Sequence, residues 1–234
     1  MSKKTVMSMY FFGLESVMKL VKETLKKLAF RYTKFGKPNY PYNVEPIQLS
    51  TIIMEIERLK DLDGCICEIG VARGMTTRFI AEHIRNQNIE NKNMYFALDT
   101  FNSFVISDLI YEIDKRGKSL RDLRGFEYNS FEKWKKNFSK FNFVNAIQVD
   151  CSDFDYQSIF PIKVCFLDVD LYLPTKRSLV KIYDATIKGG VIIVDDVIDN
   201  ATYDGAYQAY IEFCDEHNLE VNIIGNKCGL IYKQ

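Results

Sequence analysis

Short apolar runs alternate along the chain with longer segments whose apolar residues recur at helical spacing. That alternation predicts a parallel sheet with helices on both faces. Strands are expected at 65–69, 94–98, 146–149, 164–168, 190–195, 220–224 and 228–232. The last two flank a Gly225-Asn226 turn and so form a hairpin, which places one antiparallel strand in an otherwise parallel seven-stranded sheet. Helices are expected at 76–86, 131–140, 176–187 and 204–218. Residues 102–130, dense in charge and aromatic side chains, fit no single element and read as a lid or insertion.

Ahead of the first strand, Met7, Tyr10, Phe11, Leu14, Val17, Met18, Val21, Leu25 and Leu28 recur at helical spacing, with Lys19, Lys22, Lys26 and Lys27 on other faces. This is an extra N-terminal helix. It is read either as packed on the domain or on a partner subunit of a homo-oligomer, or as a basic amphipathic helix lying on an anionic membrane surface.

Composition narrows the picture. At 234 residues, 47% hydrophobic, the chain has material for one full-sized core. Its 31 basic and 31 acidic residues cancel, so no overall field draws it to nucleic acid. The balance hides an asymmetry: residues 1–37 carry net +7, leaving −7 for the remainder. No apolar run of about 18 residues suggests a membrane span, and the N-terminus lacks a secretory pattern, so the expected location is cytoplasmic. The six cysteines mostly lie in or beside apolar strand-like runs and read as reduced structural thiols. His83 and His217 read as surface or packing residues.

Ligands of open α/β sheets bind beyond the carboxyl ends of the strands. The first strand ends in CEIGVARGMTT, where Gly70 and Gly74 permit a tight turn and close approach of backbone to a ligand. The following helix starts near Thr76, whose hydroxyl and neighbouring N–H groups can hold a carboxylate or phosphate. The second strand ends at Asp99, placed to accept hydrogen bonds from ribose hydroxyls. The third ends in VDCSDF, which puts Asp150, Cys151, Ser152 and Asp153 where an adenine edge would be read. Ala72 fills the place of the second glycine in a dinucleotide loop, so a ligand without phosphate, such as S-adenosylmethionine, suits the loop better than NAD.

Two further runs end in carboxylates: FLDVD, with Asp168 and Asp170, and VIIVDD, with Asp195 and Asp196. Parallel strands bring such ends side by side. Like charges that close raise one another's pKa, and a hard divalent cation such as Mg²⁺ relieves the conflict with oxygen ligands. Asp170 is read as an alternative ligand, a helix cap or a substrate contact.

EIGVARG, LDTF, FLDVDLYLPT and GGVIIVDD, in this order, resemble the macrocin O-methyltransferase family over about residues 64–215. The resemblance implies a class I methyltransferase with a Rossmann-like sheet: an N-terminal helical and substrate-mouth extension at 1–45, then a methyltransferase domain at 46–234. It implies O-methylation of a sugar or glycosylated metabolite with S-adenosylmethionine and Mg²⁺. Carried over by position, it assigns Glu68, Gly70, Val71, Gly74 and Thr76 to the methionine end of the cofactor, Asp99 and Thr100 to ribose, and Cys151 and Ser152 to adenine. Asp168, Asp195 and Asp196 become the metal ligands. The spacing of these three also resembles catechol and caffeoyl-CoA O-methyltransferases, so a phenolic acceptor is the alternative, and an NAD-dependent sugar dehydrogenase is the alternative of another class. Val197-Ile198-Asp199 replaces the Tyr-Gly-His often found after the double Asp. Asp199 is then the first expectation for the proton acceptor, with Tyr203 and Asp204 behind it. KPNYPYNVEP offers Tyr40, Tyr42, Asn43 and Glu45 to a substrate mouth, and Arg121 and Arg124 can hold a phosphate on the acceptor.

Overall fold

The computed structural model describes the backbone of residues 3–90 and 94–234 and, from residue 17 on, their side chains. Strands β1 (Cys65–Ile69), β2 (Tyr95–Asp99), β3 (Val144–Gln148), β4 (Ile162–Leu167), β5 (Thr186–Val194), β6 (Ile223–Ile224) and β7 (Cys228–Tyr232) form one sheet in the order β3-β2-β1-β4-β5-β7-β6. The first five run parallel, and β7 lies antiparallel between β5 and β6. Strand order reverses between β1 and β4, which opens a crevice beyond their carboxyl ends.

Every residue of β1 and β4 is buried. Both faces are covered, which is why these runs show no polar alternation. On one face Ile66, Phe166 and Ile193 pack with Ile52 and Ile56 of α2 (Pro46–Arg58) and Ile80 and Ile84 of α3 (Met75–Gln87). On the other, Cys67, Cys165 and Ile192 meet Leu179 and Ile182 of α6 (Tyr172–Ala185) and Tyr210 and Phe213 of α7 (Gly205–Glu216). Each such aliphatic or aromatic side chain stabilises the fold by about 1.5–3 kcal/mol through burial. All six cysteines are buried and free, and burial first of all pushes the Cys65 thiol up to about 12. His83 bonds Glu57, and His217 stacks on Phe213.

The strands at 65–69 and 228–232 have the expected bounds; two helices were not expected. α2 begins with a capping box in which Glu45 and Gln48 satisfy each other's backbone, with proline at its start. Within 102–130, α4 (Ile106–Arg116) is a helix that buries Asp108 and Glu112 one turn apart. α5 is Phe131–Phe138, shorter than expected, and α6 begins at Tyr172, ahead of the expected 176. β6 is two residues long because only Ile223 and Ile224 pair with β7.

The chain divides into two units, Met1–Pro41 and Tyr42–Gln234. The first holds α1 (Lys3–Tyr32), on which Val17, Met18, Val21, Leu25 and Leu28 are exposed. Among the described residues no helix is long and apolar enough to cross a membrane.

Candidate active site

Beyond the carboxyl ends of β1, β2, β4 and β5 lies a cavity of about 320 Å³, within the range of small-molecule sites. Gly70 forms its floor with φ of 80°. A Cβ there would lie 1.7 Å from the Asp168 carbonyl oxygen, so only glycine lets the end of β1 pass this close to the end of β4. The crossing is fixed by backbone bonds from Asp168 N–H to Ile69 (2.8 Å) and from Gly70 N–H to Leu98 (2.9 Å).

Asp99 shapes the same turn. Its Oδ2 accepts from the N–H groups of Val71 (2.8 Å) and Ala72 (3.0 Å), and its Oδ1 from that of Phe101 (2.6 Å). Burial pushes its carboxyl up, against the pull of these donors. Asp99 lines the cavity with Thr100, Asp150 and Cys151, anticipated around a nucleoside, and with Gly70, anticipated at the methionine end. Glu68, Val71, Gly74, Thr76 and Ser152 do not line it. Val71 and Ser152 are buried, and a Cβ on Gly74 would meet the Phe138 ring at 2.6 Å.

Glu68 points into the sheet's α3 side, where its Oε2 accepts from Thr77 (2.5 Å) and from Tyr95 Oη. Among the described residues its Oε1 has no hydrogen-bond partner. Burial outweighs the two donors and raises this carboxyl to about 7, from 4.5. A carboxyl raised in the fold contributes stability below its unfolded pKa and loses it as pH climbs through the folded one. Glu68 therefore weakens the fold between about pH 4.5 and pH 7, by on the order of 3 kcal/mol in all. Urea unfolding of wild type and Glu68→Gln should show the variant gaining on wild type across that window; a constant difference would contradict the assignment.

The acid cluster occupies the other end of the cavity. Asp168, Asp195 and Asp196 each offer an oxygen within 4.8 Å of the others. Asp168 follows β4 and the pair follows β5, adjacent in the sheet, so strand geometry alone makes them converge. Asp170 lines the same wall. Asp170 and Asp196 sit in the left-handed region, at φ of 62° and 56°, a conformation that clusters at functional sites. Burial, then Asp195 and Asp170, push the Asp168 carboxyl well up; burial, then Asp196, do the same for Asp170. Burial and Asp196 raise Asp195.

Two residues that local pattern did not single out touch this cluster. Gln48 Nε2, from the first turn of α2, donates to Asp195 Oδ1 at 2.6 Å. Lys227 Nζ, from the tip of the β6–β7 hairpin, lies 3.0 Å from Asp195 Oδ1 and 2.6 Å from Asp196 Oδ1. Burial lowers the Lys227 ammonium's pKa, but the two aspartates override it and raise it. Oxygen-only donors in excess negative charge are the donor set of a hard divalent cation, so the residues present fit Mg²⁺.

Asp199 is exposed and does not line the cavity, and its Oδ1 accepts from the Asn200 N–H. Asp204 is taken up by Arg116 (2.6 Å) and Lys118 (2.7 Å). Tyr203 does line the cavity, beside Phe104 (ring centroids 6.2 Å apart), which in turn meets Phe126 edge to face at 5.4 Å. Of the residues expected at the substrate mouth Asn43 lines the cavity, and Tyr42, Glu45, Arg121 and Arg124 do not.

Structure comparisons agree with the fold. Among curated proteins there is no sequence match. The solved O-methyltransferase NovP superposes with a TM-score of 0.66 at 19% identity, covering 84% of this chain and 83% of that one. CalS11, a calicheamicin methyltransferase, superposes with a TM-score of 0.65 at 16% identity over 90% of both chains. At such identities the likeness is one of fold. Residues 47–232 match the family model Macrocin-O-methyltransferase (TylF), the span that carries the Gly70 turn, the Asp99 strand end and the aspartate cluster. The chain therefore belongs to the macrocin O-methyltransferase family and is an O-methyltransferase.

Proposed function

We propose that this chain transfers the methyl group of S-adenosylmethionine to a hydroxyl of a sugar or glycosylated metabolite, with a divalent cation held by Asp168, Asp195 and Asp196. One observation carries the reading: the same cavity is lined by Gly70, Asp99 and Thr100 and by three carboxylates that converge within 4.8 Å. Similarity in fold to CalS11, described as a TDP-rhamnose 3'-O-methyltransferase, supports a sugar acceptor.

The donor supplies an electrophilic methyl on a sulfonium, and the cation supplies positive charge that lowers the pKa of an acceptor hydroxyl. The chain's own residues do the rest. Gly70 lets the backbone approach the methionine end, and Asp99 locks the turn while keeping acceptor capacity toward ribose. Phe104, Phe126 and Tyr203 present planar faces to the apolar side of a sugar ring and exclude water. A carboxylate oxygen of Asp170, inside the cavity and made more basic by burial and by Asp196 and Asp195, receives the acceptor's proton. Asp199, exposed outside the wall, is the weaker choice. Lys227, the one basic residue among the described residues lining the cavity, is spent on Asp195 and Asp196, which favours an acceptor without phosphate at this end.

The same aromatic wall suits a phenol, so the test is a panel. Full-length chain with labelled donor should methylate glycosides, lose that turnover in EDTA and regain it with Mg²⁺. Labelling of catechols alone would move the reading to the phenolic class, and turnover indifferent to EDTA would remove the metal. Peripheral contact through α1 is a separate part of the reading, supported by its exposed apolar residues and the net +7 of residues 1–37. Co-sedimentation with anionic but not neutral vesicles is the expected result; a soluble homo-oligomer without vesicle binding would replace it.

A further inference from the structure

We infer that Lys227 is the resident counter-cation of the carboxylate cluster: a positioning residue that holds Asp195 and Asp196 together and competes with a divalent cation for their oxygens. The assignment rests on the reading above that these aspartates and Asp168 hold such a cation.

The contacts are specific. Asp195 Oδ1 already accepts from Gln48 Nε2 (2.6 Å) and the Asp196 N–H (2.7 Å). The Lys227 ammonium straddles the same carboxylate, 3.0 Å from Oδ1 and 3.2 Å from Oδ2, and lies 2.6 Å from Asp196 Oδ1. Lys227 thus spans the two side chains whose oxygens a metal needs, and it is the one basic residue among the described residues lining the cavity.

Its placement is built. The Val197 N–H donates to the Lys227 carbonyl at 2.9 Å, tying the hairpin to the chain just past the aspartates. The neighbouring Asn226 donates from its backbone (3.3 Å) and side chain (2.9 Å) to Glu45, the residue that caps α2. α2 therefore touches the cluster twice: through Gln48 directly, and through Glu45 by way of the hairpin that carries Lys227. An ammonium fixed at this distance neutralises part of the cluster when no metal is bound. It repels a divalent cation entering the same oxygens, so the metal binds less tightly than three unopposed carboxylates would bind it.

Calorimetric titration of the full chain with Mn²⁺, together with thermal melts in EDTA, tests this on Lys227→Met and Lys227→Gln. Removing the charge should tighten Mn²⁺ binding about tenfold or more in both variants, because glutamine restores a donor but not a charge. Both should melt below wild type in EDTA and recover most of the difference in saturating Mn²⁺. Wild type that binds Mn²⁺ beside variants that bind it no tighter would overturn the inference while leaving the metal reading intact. Failure of all three chains to bind Mn²⁺ would sink that reading and this inference with it.

Discussion

An Asp168→Asn chain should fold, melt higher than wild type in EDTA, and methylate its acceptor on the order of a thousandfold more slowly. The two changes have one cause. Burial, Asp195 and Asp170 all push the Asp168 carboxyl up, so its ionised form is held against a cost in the absence of a cation. Replacing it by a neutral isostere relieves that repulsion, and it also removes one of three oxygens within 4.8 Å of one another that a hard cation would use. A charge-stabilising contribution of several kcal/mol corresponds to the stated loss of rate. Single-turnover rates with labelled donor, read beside melts in EDTA, check both halves. Activity within tenfold of wild type would show that Asp168 is no part of the chemistry, and a lowered melt would show that repulsion is not what the cluster stores.

Gly70→Ala should cost more than about 4 kcal/mol, enough to leave little folded protein. The added Cβ would lie 1.7 Å from a backbone oxygen, that of Asp168, at a φ of 80° that side chains avoid. No rotamer change relieves contact with a carbonyl in the centre of the sheet, so either β1 or β4 must move. Gly125 supplies the contrast: a Cβ there meets nothing within 4 Å, and Gly125→Ala should change stability by under about 0.5 kcal/mol. Urea midpoints of the two variants decide the matter. A well-folded Gly70→Ala would mean that the crossing of strand ends is looser than described.

Elements whose pattern is set by their own burial were legible from the amino-acid order. β1 and β7 have the bounds expected, because continuous apolar runs bounded by glycine or charge have few other uses. The convergence of Asp168, Asp195 and Asp196 follows from parallel pairing of β4 with β5 and needed no side-chain detail. α4 escaped because its interior face carries two acids, Asp108 and Glu112, where a helical stripe is expected to be apolar. Those acids are satisfied in part across the fold: Glu112 Oε2 accepts from Arg116 one turn on at 2.8 Å, but its Oε1 accepts the Tyr172 N–H at 2.7 Å and Asp108 faces Arg177 at 3.4 Å. α2 escaped for another reason, its start lying within a proline-punctuated stretch that reads as loop. Gln48 and Asp195 stand 147 residues apart in the chain, and no local spacing reports such a pair. Asp204 was a reasonable proton acceptor by position, but its carboxylate is spent on Arg116 and Lys118.

The sheet order has a consequence for how the protein is made. β5 pairs not with the strand that follows it but with β7. A nascent chain that has emerged only as far as Val197 presents an open strand edge on β5, beside a pair of aspartates with no lysine to face them. The hairpin that ends the first hazard also ends the second, since Lys227 arrives on its tip. Until then a ribosome-bound intermediate is both sticky along its backbone and strained by charge, and the final docking step cures the two together.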